Sequence, residues 1–440
     1  MRKHLDLARA AVEAARAAGA EFADASVGAG RAVEVEVEES LVKACSAHRG
    51  ESVSVRAFFG GGRGTCVAHR AALRSVRRAG REAAAQARCA SPDPDFRSLP
   101  AFEEAPDVPE LYDARVARLG GRDVLRVAGD ALERAREADG SAVLSGSVSA
   151  SSSAGAFANS LGVAYERSDT NASAGFMAVV RAPGEVGSYY EFDAGRFLED
   201  VELEAVGALA VGRAREFLGA RSMPTGVRSV VFGPLAAHSL LASLVGAASA
   251  ESVQRSRSFL ADKLGTRVAA RAITIRDDPT IARGLYSAAR DGEGAPARPV
   301  TVIRDGELVT LLHNAYTAGK AGCANNGRGT MGGAVSATNF RPRLGARTMA
   351  EFVASIDDGL YVEEAALAPN STSGDFSATV DFGFCIEKGK RTHPVANVMI
   401  AGNVLELLSN VEAVSSDCRE EPGNLYPSLL VRGVQISGEG

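Results

Sequence analysis

Between Val33 and Glu38 the chain alternates valine and glutamate without a break. Side chains on a β-strand point to opposite faces with a period of two, so this segment buries a valine face and wets an acidic one. Ahead of it, Leu5, Ala8, Val12 and Ala15 share one side of a helix that Gly19 closes. Behind it, Ser52 to Phe59 alternates less cleanly, and Gly60-Gly61-Gly62 turns the chain before a second helix over about Ala71 to Ala87. Pro92, Pro94, Pro100, Pro106 and Pro109 then crowd one stretch. Proline cannot donate to helix or sheet ladders, so this stretch reads as a linker.

The same order recurs beyond it. Val124, Val127, Ala131 and Ala135 line one face of a helix, and strands are expected around Ala142–Ser149, Val163–Asp169, Ala174–Val180 and Tyr189–Asp193. A long helix over roughly Val201 to Leu218 follows. Helix, antiparallel strands and helix, twice over, predict a structural repeat inside one α+β domain covering residues 1–220. The run from Arg221 to Gly226, with Pro224 in it, breaks any regular element. Beyond it come a short strand at Ser229–Phe232 and an apolar helix from Pro234 to about Ala250. Strands are expected at Val300–Asp305, Leu308–Ala315, Gly383–Glu387 and Leu429–Ile436, and a mobile loop at Gly327–Gly333. The second domain, residues 221–440, is therefore read as β-rich, and the fold class as α+β.

Composition narrows the function. A chain of 440 residues with a net charge of -5, no tryptophan and 6% aromatics lacks the basic surplus and stacking platforms that nucleic acid requires. The basic run Arg74, Arg77, Arg78 and Arg81 falls on a helix and reads as a solvated face. Six scattered cysteines without a Cys-x-x-Cys pair suit reduced thiols. Met1-Arg2-Lys3-His4 leads into an amphipathic segment unlike a signal peptide, and no apolar run approaches the roughly 18–20 residues of a membrane helix. A cytoplasmic location without membrane contact is expected.

The chemistry sought in the sequence is sparse. There is no Gly-x-Ser-x-Gly elbow and no Walker lysine. Gly60 to Gly64 joins two strands and reads as a hairpin turn, not a phosphate cradle. Glu34, Glu36 and Glu38 could meet a hard cation but suit a solvated strand face. His4, His48, His69, His238, His313 and His393 form no helical ligand pair, so no local zinc motif is present.

Several ordered stretches nevertheless belong together: Glu251-Ser252-Val253-Gln254 with Ser258-Phe259-Leu260, Ile273 to Pro279, Asp305-Gly306-Glu307-Leu308 and Asn314 to Ala318. Gly359-Leu360-Tyr361-Val362, Ser373 to Ser377, Ile400 to Val404 and Pro427 to Leu430 complete the set, with Gly19 to Asp24 and Ala158 to Gly162 near the start. Their order and spacing resemble the TldD/PmbA family, also called modulators of DNA gyrase, over nearly the whole chain. The resemblance implies a two-domain fold and a dimer around a central cavity. It also implies a TldD–TldE heterodimer that cleaves unfolded or leader-type peptides.

TldD-type chains carry a His-Glu-x-x-x-His helix and a later cysteine for zinc. The corresponding helix here, Pro234 to Leu244, has only His238 among alanine, serine and leucine. That pattern resembles the TldE/PmbA branch. The implied function is a non-catalytic subunit of a zinc metallopeptidase, with no catalytic, cofactor-binding or metal-ligating residue in this chain. Zinc would lie in a TldD-type partner. The alternatives are a homodimeric peptide-binding protein without activity and, behind it, a homodimeric hydrolase using Cys418, Asp375 or Asp381. Asp375, Asp381, Asn403 and Cys418 are cavity candidates from their places in or near these stretches; Cys418 otherwise reads as an idle thiol.

Overall fold

The valine–glutamate alternation becomes the end of a long strand. In the computed structural model, which describes residues 2–438, the first part runs α1 (Arg2–Ala17), β1 (Phe22–Glu38), β2 (Leu41–Phe59), β3 (Gly62–Ala68) and α2 (Leu73–Cys89). It continues through α3 (Ala114–Arg118), α4 (Gly121–Ala138), β4 (Val143–Asn159), β5 (Ala164–Ala182), β6 (Glu185–Gly195) and α5 (Val206–Glu216). The six strands form one antiparallel sheet in the order β3-β2-β1-β4-β5-β6. β1 and β4 each hold 17 residues, and β2 and β5 each hold 19, so the order and lengths of these inner strands are alike on both sides of the β1–β4 seam.

One face of this sheet is apolar at both ends, with Arg31 opposite Ser152 between them. Val35 pairs with Val148, Val33 with Ala150, Val27 with Ala156 and Ala25 with Ala158. α1 and α2 cover one end of that face, while α4 and α5 cover the other. Glu36 and Glu38 are exposed and Glu34 is half-buried, as a solvated strand face requires.

The boundaries differ from the sequence reading in instructive ways. β2 starts at Leu41, well before the alternation does, because its first half is an exposed ribbon with no core to pattern it. β5 is one strand where two were expected: Thr170 and Ala172 are buried and Asn171 is not, so the alternation persists through polar residues. Gly60 and Gly61, with φ of 55° and 80°, make the two-residue hairpin between Phe59 and Gly62. The proline-rich stretch has no regular structure, yet it is a packed strap. Phe96 stacks on Phe58 with centroids 4.2 Å apart, and the Asn159 Nδ2 donates to the Pro100 carbonyl at 2.7 Å.

The second part comprises β7 (Gly226–Phe232), α6 (Pro234–Ala247), α7 (Ala250–Gln254), β8 (Ile275–Asp277), β9 (Val300–Arg304), β10 (Glu307–Leu308), α8 (Ala315–Ala321), β11 (Phe340–Pro342) and α9 (Met349–Ala354). Then follow β12 (Asp358–Ala365), β13 (Asp375–Glu387), β14 (Lys390–Pro394), β15 (Met399–Asn403), α10 (Val404–Ser409), β16 (Val411–Glu421) and β17 (Asn424–Ser437). A small sheet takes the order β10-β9-β8-β11. In the larger one, β12-β7-β17-β15-β13 closes on itself because β13 also pairs with β12; β14 extends β13, and β16 extends β17. The architecture is α+β, with an N-terminal α+β part and a β-rich C-terminal one.

Two expectations fail here. The strand expected over Leu308 to Ala315 ends at Leu308 itself: Asn314 accepts from the Thr317 amide at 2.8 Å and caps α8 instead. The glycine-rich stretch 327–333 is anchored, since Arg328 is fully buried and ion-paired with Asp277. Among the described residues, no helix is long and apolar enough to cross a membrane.

Both faces of the larger sheet are covered. In β7, Val230 and Phe232 enter the core around α6, while Val231 joins the core beneath α4 and α5. Phe217 and Tyr189 of the first part meet Phe382 of the second at 5.0 and 4.8 Å. The two parts therefore share an aromatic seam.

Candidate functional site

α6 begins where Gly233 ends β7. The Gly233 amide donates to the Val362 carbonyl at 2.7 Å, and a Cβ there would stand 2.5 Å from the Tyr361 hydroxyl. Pro234 fits the first turn, where its missing N–H costs nothing. Ala236, Ala237, Leu240, Leu241 and Leu244 are buried in the core. The opposite side presents His238, Ser239, Ala242, Ser243 and Gly246 to a groove of about 540 Å³. Phe259, Leu367, Pro369 and Ser371 form its far wall.

The groove is short of ligands. Ser239 Oγ donates to the Leu367 carbonyl at 3.1 Å, and Ser243 Oγ to the Leu240 carbonyl at 2.6 Å, so both hydroxyls serve the backbone. His238 packs against Tyr426 at 4.0 Å and edge-on to Phe340 at 5.2 Å. Burial pushes its pKa down to about 4, so the ring is neutral at pH 7. Its Nδ1 is buried and makes no hydrogen bond. A catalytic zinc takes three protein ligands and an open position. One imidazole among hydroxyls and alanines does not fit that group.

The residues singled out from sequence fall in three places. Asp375 and Asn403 meet: Asn403 Nδ2 donates to Asp375 Oδ1 at 2.9 Å, and Asn403 Oδ1 accepts from the Leu405 amide at the start of α10. The Asn403 hydrogen bond holds the Asp375 carboxyl below its usual range. Asp375 also closes the loop that carries Ser371, since its carbonyl accepts from the Asn370 amide at 2.8 Å. The pair thus braces the groove wall and does not enter the groove. Asp381 lies apart, in a cleft of about 240 Å³ with Val186 and Phe217; desolvation raises its pKa against a hydrogen bond from the Ala366 backbone. Cys418 sits on β16 opposite Pro427, one position from Tyr426, whose ring touches His238. Burial lifts its thiol above the ordinary value, and all six cysteines are free.

Sequence reasoning missed a second cavity, of about 420 Å³, where the sheet of the first part meets the second part and the proline-rich strap. Arg56, which is 2% exposed, donates from Nε and Nη2 to Asp24 and from Nη1 to Glu293 Oε1 at 3.0 Å. Burial works against its charge, and the two carboxylates more than restore it. Glu293 Oε2 accepts from the Ala315 amide that opens α8. Nearby, burial and the charge of Glu293 push Asp291 up to about 7. Arg63 reaches across and donates to the Gly332 carbonyl at 2.9 Å. The signals were slight: Asp24 closes one of the family-like stretches, and Arg56 takes a polar position in the Ser52–Phe59 alternation, where nothing in the sequence marks its burial. Only the fold shows that they meet.

With this geometry in place, comparison with known proteins is direct. Residues 225–438 match the PmbA/TldA metallopeptidase C-terminal domain, and residues 125–218 the PmbA/TldA metallopeptidase central domain. The chain is 28% identical over 361 residues to the metalloprotease PmbA of Escherichia coli O157:H7, covering 80% of this chain and 78% of that one. It is 30% identical over 309 residues to an uncharacterized protein of Methanocaldococcus jannaschii, covering 67% and 70%. Among solved structures it is similar to TldE from Thermococcus kodakarensis, with a TM-score of 0.89, 25% identity and coverage of 97% and 99%. Fold and sequence together define a chain with the domains of a metallopeptidase family. It belongs to the TldD/PmbA family.

Proposed function

We propose that this chain is a TldE-like, non-catalytic subunit of a TldD/TldE-type zinc metallopeptidase that acts on unfolded or leader-type peptides. The observation that carries the reading is the groove face of α6. His238 is the single imidazole there, neutral and wedged between aromatic rings, and its neighbours are Ser239, Ala242, Ser243 and Gly246. Such a face cannot assemble a catalytic zinc sphere. The zinc belongs to a TldD-type paralogue that pairs with this chain in the cytoplasm.

In that assembly the chain contributes shape and peptide contact. The α6 groove is lined by small, apolar and hydroxylated side chains together with His238 and Arg257, a setting that admits an extended backbone. Similarity to TldE of T. kodakarensis over almost the full length supports the branch.

The test is peptide cleavage by this chain, by the paralogue bearing His-Glu-x-x-x-His, and by their mixture, read by mass spectrometry on an unstructured peptide. Cleavage that requires the paralogue, together with a mixed dimer on size exclusion, is the expected result. Chelator-sensitive cleavage by this chain alone would overturn the reading. A homodimer that binds the peptide and leaves the paralogue's activity unchanged would favour a peptide-binding protein instead.

A further inference from the structure

The β13–β14 hairpin holds a convergence of ligands that the groove lacks. Cys385 and Glu387 are two apart on β13 and so share a face. The register of the hairpin then slips: Phe384 pairs with Pro394 and Ile386 with Arg391, so Thr392 and His393 together oppose Cys385. Such a β-bulge re-aims a side chain, and here it brings His393 to the same spot. One ligand atom from each of Cys385, Glu387 and His393 lies within 4.8 Å of the others. The Cys385 Sγ to Glu387 Oε1 distance is 4.0 Å.

The surroundings suit ligation by these three groups, two of which, Cys385 and Glu387, already meet each other. Thr392 Oγ1 donates to the Cys385 carbonyl at 3.3 Å and stands 3.3 Å from His393 Nδ1. With its proton on that carbonyl, the hydroxyl is placed to accept from the Nδ1–H tautomer of His393, the form whose lone pair is on Nε2. Metal-bound histidines are oriented by a second-nitrogen hydrogen bond of this kind. Arg228 Nε donates at 3.2 Å to Asp358, which is in register with Glu387, so this neighbouring cation is committed to Asp358 and Glu387 keeps the Cys385 thiol as its contact. The sulfur is buried, the imidazole half-buried and the carboxylate exposed, so a cation there would keep a solvent-facing position.

We propose that Cys385, Glu387 and His393 form a zinc-binding site on this hairpin, separate from the α6 groove. Thiolate, imidazole and carboxylate are the donor set of Zn²⁺, with water as the fourth ligand. Binding displaces the Cys385 thiol proton to solvent and forms one S–Zn, one N–Zn and one O–Zn bond, with no redox step. The site ties β14 to β13 at the edge of the larger sheet.

The experiment uses the full chain, stripped with a chelator and titrated with Co²⁺, which reports thiolate ligation by a charge-transfer band in the near ultraviolet. One equivalent should produce the band, and Zn²⁺ should displace it. Cys385→Ser should abolish the band while Cys418→Ser preserves it. Because Cys385 is packed in the core, His393→Ala provides a second reading on a more exposed residue, and its affinity should fall at least about tenfold. Thr392→Val should weaken binding by roughly 10- to 100-fold through the imidazole alone. Absence of the band in the unaltered chain, its survival in Cys385→Ser, or unchanged affinity in His393→Ala would overturn the site. None of these readouts depends on peptide cleavage, so the assignment above stands or falls separately.

Discussion

At the scale of single residues, two buried groups carry charges or protons whose removal has calculable consequences. Arg56 lies between Asp24 and Glu293 with almost no solvent contact. Arg56→Met would leave both carboxylates buried without their cation, and such losses cost about 3–5 kcal/mol. Urea unfolding should show that loss, and a change below about 1 kcal/mol would mean that water reaches the network. His238 gives the opposite kind of test. Its pKa falls from 6.5 when exposed to about 4 in the fold. Between those values the unfolded chain binds the proton and the folded chain does not, so stability declines as pH drops through this window. His238→Leu should remove that decline, worth on the order of 3 kcal/mol. Denaturation curves across the window check it; identical pH slopes would contradict the burial of a neutral ring.

At the scale of elements, the doubled helix–strands–helix unit was readable because its apolar positions follow clean periods. Val33, Val35 and Val37 alternate, and Val124, Val127, Ala131 and Ala135 keep helical spacing. Where apolar residues do not mark the pattern, the reading failed. The first half of β2 is exposed, and the middle of β5 alternates in burial with polar residues such as Thr170. The same applied to the candidate site. The α6 face and its missing ligands are local in sequence and were visible. The Arg56 network and the Cys385–His393 convergence join segments that only the register brings together. A finer correspondence between the two units lies in glycine. Gly64 is the third residue of β3, and a Cβ there would be 2.0 Å from the Ala83 carbonyl of α2. Gly187 is the third residue of β6, and its Cβ would be 2.2 Å from the Ala214 carbonyl of α5. Both units let a helix approach the third strand at the same point. Gly64→Ala and Gly187→Ala should each destabilise by about 1–3 kcal/mol through overpacking. Thermal melting tests this, and a neutral effect at either position would break the correspondence.

At the scale of the whole molecule, a sheet built from two like units is fastened to a closed circuit of strands through aromatic and ionic contacts. α6 stands at the centre of the second part, with its apolar side in the core and its groove side furnished with a solitary neutral imidazole. The proline-rich strap, Arg56 and Arg63 shape a second cavity between the parts. Under the proposed division of labour, the bond-breaking step falls to a TldD-type chain and this one supplies shape and peptide contact. The most direct measurement is the rate of hydrolysis of one unstructured peptide by the purified chain, by a TldD-type chain bearing His-Glu-x-x-x-His and by the two combined. Hydrolysis should be absent with this chain alone and should appear when the paralogue is added, whether or not the hairpin near Cys385 holds zinc. Metal-dependent hydrolysis by this chain in isolation would contradict the assignment.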